Sequence, residues 1–305
     1  METNLVRRNL LVALGIAGIS LGLHAKATTN AANQPFDDAL AELERLAGGR
    51  LGVHMLDSGS GRELGRRSDQ RFGMCSTFKL PLAAAVLREA DAGRLKLDAY
   101  IEYDKNDMVA HAPVTSKHLE AGRMRIVDLA EAAQKTSDNV AANLLIAKLG
   151  GPQALTAIFR AMGDEMTRID RLEPEMNLVI GDDERDTTTP RAMALLVSHI
   201  LSDKLLAPAS RELLAEWMVA TTTGAKRIRA GLPSDWKAGD KTGTALSPKM
   251  PNKHNDVAVI WLPERAPIVI AAYYDADAHY NQMRPEDDAV LAEVGSIAAR
   301  WIKAG

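Results

Sequence analysis

Cysteine is nearly absent. The 305-residue chain has one, Cys75, so no disulfide can form within it. Aromatic residues are scarce at 4%, and no basic stripe is interleaved with them, which argues against a nucleic-acid partner. Neither H-E-x-x-H nor His-x-His-x-Asp-His occurs, which excludes the usual ligand sets of zinc hydrolases, and no metal is expected. No block of like charge stands out: the formal net charge is −3, with both signs spread along the chain. Set against these absences are 46% hydrophobic and 25% charged residues. Over this length they suit one large globular domain or two interlocked ones.

The N-terminus suggests the compartment. Arg7 and Arg8 precede the apolar run Leu10–Leu23, and Ala25-Lys26-Ala27 follows. A positive segment, a short apolar core and an A-x-A site predict a signal peptide over residues 1–27. The alternative, a membrane anchor, would need about 20 apolar residues. The paired arginines hint at twin-arginine export. The rest is expected to be a soluble, exported (periplasmic or secreted), monomeric globule.

Hydrophobic spacing outlines the organisation. Phe36, Leu40, Leu43 and Leu46 recur at helical intervals. Residues 50–56 and 62–64 read as strands around the turn 57–61. From Ser76 to about Leu205 the signals are mainly helical, with helices over 80–92 and 141–149 ending at Gly93 and Gly150. Residues 257–262 and 268–274 predict a hairpin, and 287–303 a closing helix. Strand signal at both ends of the chain predicts an α/β protein of α+β type. Its antiparallel sheet of about five strands is built from both chain ends and flanked by helices. Residues 28–70 and 221–305 would form this α/β subdomain, and 71–220 an all-helical one, with the active site in the cleft between them.

Three short motifs carry chemistry. In Ser76-Thr77-Phe78-Lys79, a helical start puts Ser76 and Lys79 on one face, with β-carbons about 5–6 Å apart. A lysine partly stripped of water can activate the serine hydroxyl, and a helix N-terminus offers donors to an oxyanion. The plain alternative is a helix cap followed by a surface lysine. Ser137-Asp138-Asn139 is either an ordinary N-cap or a hydroxyl relay beside a substrate-binding amide. Lys241-Thr242-Gly243, followed by Thr244, lies in strand-like sequence after Trp236. Alternation puts Lys241 and Gly243 on one face, where a cation attracts an anionic substrate and a glycine lets it approach the backbone. A solvated edge strand is the alternative. A Ser-x-x-Lys is expected roughly once per chain of this length, and each of the other tripeptides in about one chain in ten to thirty.

Together and in this order, the motifs resemble the serine penicillin-recognising enzymes, whose signature they are; the match is one of recognition. A fourth segment resembles the omega loop of the class A β-lactamase branch. It runs from Arg171-Leu172-Glu173-Pro174-Glu175-Met176-Asn177 to Asp186. The resemblance implies an Arg171–Asp186 ion pair at the neck of loop 171–186, and Glu173-Pro174 is a candidate cis bond that would aim the loop inward. It also implies β-lactam hydrolysis without a cofactor, through an acyl-enzyme on Ser76. Lys79, Ser137 and Glu173 would be the other catalytic residues, with Glu173 activating water and Asn177 its partner on that water. Asn139 would hold the side-chain amide of the substrate, and Lys241, Thr242, Gly243 and Thr244 its carboxylate and carbonyl. Arg227 would reinforce Lys241, and His111 would stand as a gatepost at the cleft mouth. Cys75 reads as a packed, inert thiol. The rivals are a penicillin-binding DD-peptidase, against which Glu173 with Asn177 argues, or a β-lactam receptor, which would be expected to carry an attached membrane or regulatory domain. Carbapenem-hydrolysing relatives often bridge the cysteine before the nucleophile to one after the K-T-G strand. The stretch Thr244-Ala245-Leu246-Ser247 lacks that partner. The segment from Ser247 to His254 looks longer than in many relatives.

Overall fold

The computed structural model describes residues 31–202, 205–277 and 279–305. The expected signal peptide lies outside them. Among the described residues, no helix is long and apolar enough to cross a membrane.

The chain opens with helix α1 (Gln34–Ala47), strands β1 (Arg50–Asp57) and β2 (Glu63–Arg66), and the short strand β3 (Phe72–Gly73). A 3-10 turn over Cys75–Phe78 leads into α2 (Lys79–Asp91). Strands β4 (Tyr100–Glu102) and β5 (Arg123–Arg125) follow, then α3 (Ile126–Thr136), α4 (Asn139–Lys148) and α5 (Pro152–Ala161). Next come β6 (Thr187–Thr188), α6 (Pro190–Leu201) and α7 (Pro208–Val219). The chain closes with β7 (Lys237–Ala245), β8 (Lys253–Trp261), β9 (Ile268–Asp275) and α8 (Pro285–Lys303).

The main sheet is antiparallel, in the order β2-β1-β9-β8-β7. Strand β1 pairs with β9 from Arg50↔Asp275 to Asp57↔Ile268, so the two chain ends share one ladder, as the split strand signal predicts. Alternation along the strands feeds two cores. Val257, Val259, Val269, Ala271 and Tyr273 pack with helices α2 to α7. Ala258, Ile260, Ile268, Ile270 and Ala272 face the opposite way, onto α1 and α8. A sheet buried on both faces explains why residues 257–261 of β8 and most of β9 read as unbroken apolar runs.

Two features were not predicted. The mainly helical region carries a two-stranded ribbon, β4 with β5, so it is not helical throughout. Strand β3 pairs with β6 across the neck of loop 171–186. Both pairs are too short to show a period-2 pattern.

Candidate active site

Three segments bring the motifs together. The 3-10 turn before α2 presents Ser76 and packs Cys75, Thr77 and Phe78 inward. The turn between α3 and α4 presents Ser137, held in the left-handed region at φ 61°. Asp138 caps α4 by accepting from Ala141 N, and it also takes the backbone N–H groups of Val114 and Thr115. The cap reading of this tripeptide is therefore realised, and the cap leaves Ser137 and Asn139 flanking it. Strand β7 supplies the third wall. A Cβ built on Gly243 would stand 2.6 Å from Met74 O and 3.1 Å from Ser76 N, so only glycine lets the strand press on the nucleophile's backbone. The predicted alternation holds. Lys241 reaches Ser137 Oγ at 3.0 Å on the cleft side, while Asp240 points the other way, toward Arg229; the Thr242 hydroxyl lies 2.6 Å from that of the exposed Thr223.

Lys79 is the hub. Its ammonium is fully buried. Nζ lies 2.8 Å from Ser76 Oγ, 2.9 Å from Ser137 O, 2.5 Å from Asn139 Oδ1 and 3.0 Å from Glu173 Oε1. Burial pulls its affinity for the proton below that of an ordinary lysine, and Glu173 opposes the shift. Lys241, also fully buried, is driven well below its ordinary range by burial and then by the like charge of Lys79. Two lysines share one buried pocket, with Ser137 Oγ between them.

The omega loop brings the carboxylate. Asp186 closes its neck, taking Arg171 Nε at 2.5 Å and the N–H groups of Asp170 and Arg171 at 2.7 and 3.0 Å. The Glu173–Pro174 peptide is cis. Glu173 Oε1 accepts from Ser76 Oγ at 3.2 Å, and Oε2 accepts from Asn177 Nδ2 at 2.5 Å. Sequence reading missed Asn143, which donates to Glu173 O and accepts from Glu173 N, both at 2.9 Å. Its position four residues after Asn139, on the same helix face, was the available signal.

The remaining residues fall around this centre. Asn139 also donates through Nδ2 to Ala110 O at 2.9 Å. His111 is exposed; its O accepts from Asn139 N, and its ring lies 3.1 Å from Thr136 O. Arg227 is buried behind β7 rather than open to the cleft. It donates to Gly243 O, Asn255 O, Asp288 Oδ1 and, at 2.7 Å, Thr244 Oγ1. It therefore meets the cleft only through Thr244. Cys75 is buried, and burial pushes its thiol up to about 12, which keeps the sulfur protonated. Among the described residues, no group of three or more His, Cys, Asp or Glu side chains could hold a metal ion.

Known proteins share this arrangement of sequence and fold. The model of the beta-lactamase enzyme family matches residues 35–302. The chain is 44% identical to beta-lactamase L2 of Stenotrophomonas maltophilia, over 98% of this chain and 99% of that one. It is 39% identical to beta-lactamase Toho-1 of Escherichia coli, over 96% and 98%. Among solved structures, an ancestral class A beta-lactamase superposes with a TM-score of 0.82 at 51% identity, covering 87% of this chain and 99% of that one.

Proposed function

The chain belongs to the class A branch of the beta-lactamase enzyme family and hydrolyses β-lactams; on that premise we propose how its own residues divide the work. Ser76 Oγ attacks the ring carbonyl and gives its proton to the Lys79–Glu173 pair, both members of which lie within reach. The backbone N–H groups of Ser76 and Thr244 receive the oxyanion, an interaction whose loss typically costs about 10²–10³ in rate. The ring C–N bond breaks and Ser137 Oγ protonates the leaving nitrogen. Its proton is replaced from the lysine side, with Lys241 Nζ at 3.0 Å and Lys79 Nζ at 3.4 Å.

Deacylation belongs to the omega loop. Glu173, oriented by Asn177, takes a proton from water as the hydroxyl adds to the ester, and Ser76 leaves with its proton restored. Asn139 has one N–H left for the substrate's side-chain amide. Lys241, Thr242 and Thr244 take the carboxylate, with Arg227 steadying Thr244 from behind, and His111 borders the entrance. We assign residues 28–70 with 221–305 to one subdomain and 71–220 to the other. The protein acts as a monomer, exported by its leader.

The observation that carries this reading is one buried ammonium, Lys79, in contact with both the candidate nucleophile and the candidate deacylating carboxylate. It is tested by mixing the protein with a penicillin and mapping the covalent adduct by mass spectrometry. The adduct is expected on Ser76, with Ser76→Ala abolishing both adduct and turnover. An adduct on another residue would contradict the assignment.

A further inference from the structure

The β7–β8 hairpin closes through residues 246–252, beyond the last ladder pair Ala245↔Lys253. A tight hairpin needs only two residues there. Pro248, Lys249 and Pro251 of this loop are exposed, but Met250 is turned inward and only 1% exposed. It packs in one cluster with Cys75 and Ala245, against which Leu178 of the omega loop rests. A single thioether thus joins the residue before the nucleophile, the end of the K-T-G strand and the loop that carries Glu173.

The loop is fastened on its outer side. Asn252 Nδ2 donates to Tyr280 O at 2.9 Å, and Ala276 N donates to Asn252 O at 2.8 Å. The His279 ring lies 3.2 Å from Pro248 O. Met250 therefore occupies a fixed position although thioether side chains are intrinsically adaptable. Beside it opens a cavity of about 360 Å³, walled by Pro174 and Asn177 on one side and Thr244 and Leu246 on the other. That volume falls within the range of small-molecule subsites.

Resting on the acyl-enzyme reading above, we propose that Met250 is a specificity-determining residue: it forms the end wall of the cavity that receives the acyl substituent of the β-lactam. The class favoured is β-lactams with compact or flat apolar substituents, and the class disfavoured is those whose substituent is bulky and branched next to the amide. Truncating the side chain removes a methylene, the sulfur and a methyl group from that wall. A change of one methylene in an apolar pocket is worth about 10-fold or more in discrimination.

The test compares kcat/KM for two penicillins that share one nucleus: 6-aminopenicillanic acid, which has no acyl substituent, and a penicillin bearing a dimethoxyphenyl acyl group. The ratio of bulky to bare substrate is expected to rise about 10-fold in Met250→Ala and to fall in Met250→Phe. In Met250→Leu, which keeps volume, it should stay within about 2-fold. Thermal melts report folding separately. If Met250→Ala does not fold, the Phe and Leu variants decide. A ratio unmoved across the folded variants, with both substrates changing in parallel, would reduce Met250 to a packing role and overturn the proposal. A parent protein that neither substrate acylates at Ser76 would overturn the acyl-enzyme reading instead.

Discussion

Strand β7 divides two buried charge clusters that behave oppositely. On its cleft face, Lys241 and Lys79 share a pocket with Ser76, Ser137 and Glu173, and burial lowers the proton affinity of both lysines. On its other face, Asp240 and Asp256 lie among Arg227 and Arg229, and burial raises both carboxyls, Asp240 to about 6 and Asp256 well above the ordinary carboxylate range. Lysine can give up a proton when desolvated, whereas arginine holds its proton throughout. The front cluster is therefore built to move protons: Lys79 meets more acceptors than its three protons can serve at once. The rear cluster is built to hold position. Arg229 takes Asp240 Oδ2 at 3.0 Å, and Arg227 bridges Asp288 to the carbonyl of Gly243. Adjacent residues of one strand, Asp240 and Lys241, serve these two ends because side chains alternate across a sheet.

Breaking the front cluster should cost most. Lys79→Ala is expected to lower kcat/KM by about 10²–10⁴-fold, as loss of a positioned proton carrier does; steady-state nitrocefin hydrolysis measures it. Lys241→Arg keeps the charge but cannot titrate, so the alkaline limb of the kcat/KM–pH profile should move upward. The changed fork geometry should cost about 10-fold at neutral pH.

The rear cluster should answer in stability rather than rate. His254 on β8 faces Asp287 at 3.3 Å, and burial followed by the charge of Arg227 lowers it to about 4. The unfolded chain therefore binds this proton more readily between about pH 6.5 and 4, and stability falls as pH falls through that window, by up to about 3 kcal/mol. Asp240 has the opposite sign. Its native carboxyl, held up at about 6, binds the proton more readily than the unfolded chain does, so its contribution is lost as pH rises from about 4 to 6. Discounted for the partly exposed Arg229, this is about 2 kcal/mol. Urea unfolding across pH 4–7 should show His254→Asn removing the first slope and Asp240→Asn the second. Asp240→Asn should also leave kcat/KM within a few-fold of the parent, since it breaks no contact in the cleft.

Much of this was legible in sequence because the front cluster rests on local spacing. Ser76 and Lys79 share a turn, Ser137 and Asn139 flank a cap, and Lys241 and Gly243 share a strand face. The sheet was legible because β9 and residues 257–261 of β8 are apolar runs, and an early strand signal, β1, supplies the partner of β9. What stayed hidden depends on direction rather than spacing. Nothing in the letters says that Arg227 approaches β7 from behind and reaches the cleft only through Thr244. Asn143 looks like any polar helix residue until the omega loop folds onto it. Met250 sits among prolines and a lysine in a segment that reads as solvated loop, and its burial is set by Cys75 and Leu178, far away in sequence.

The central claim is that the omega-loop carboxylate drives deacylation of a serine ester formed by the lysine-served pocket. Glu173→Ala, mixed with a penicillin and followed by intact-protein mass spectrometry, tests it most directly. The predicted result is rapid formation of an adduct on Ser76 that persists while the parent's adduct disappears. Turnover by this variant at the parent's rate, with no accumulated adduct, would contradict it.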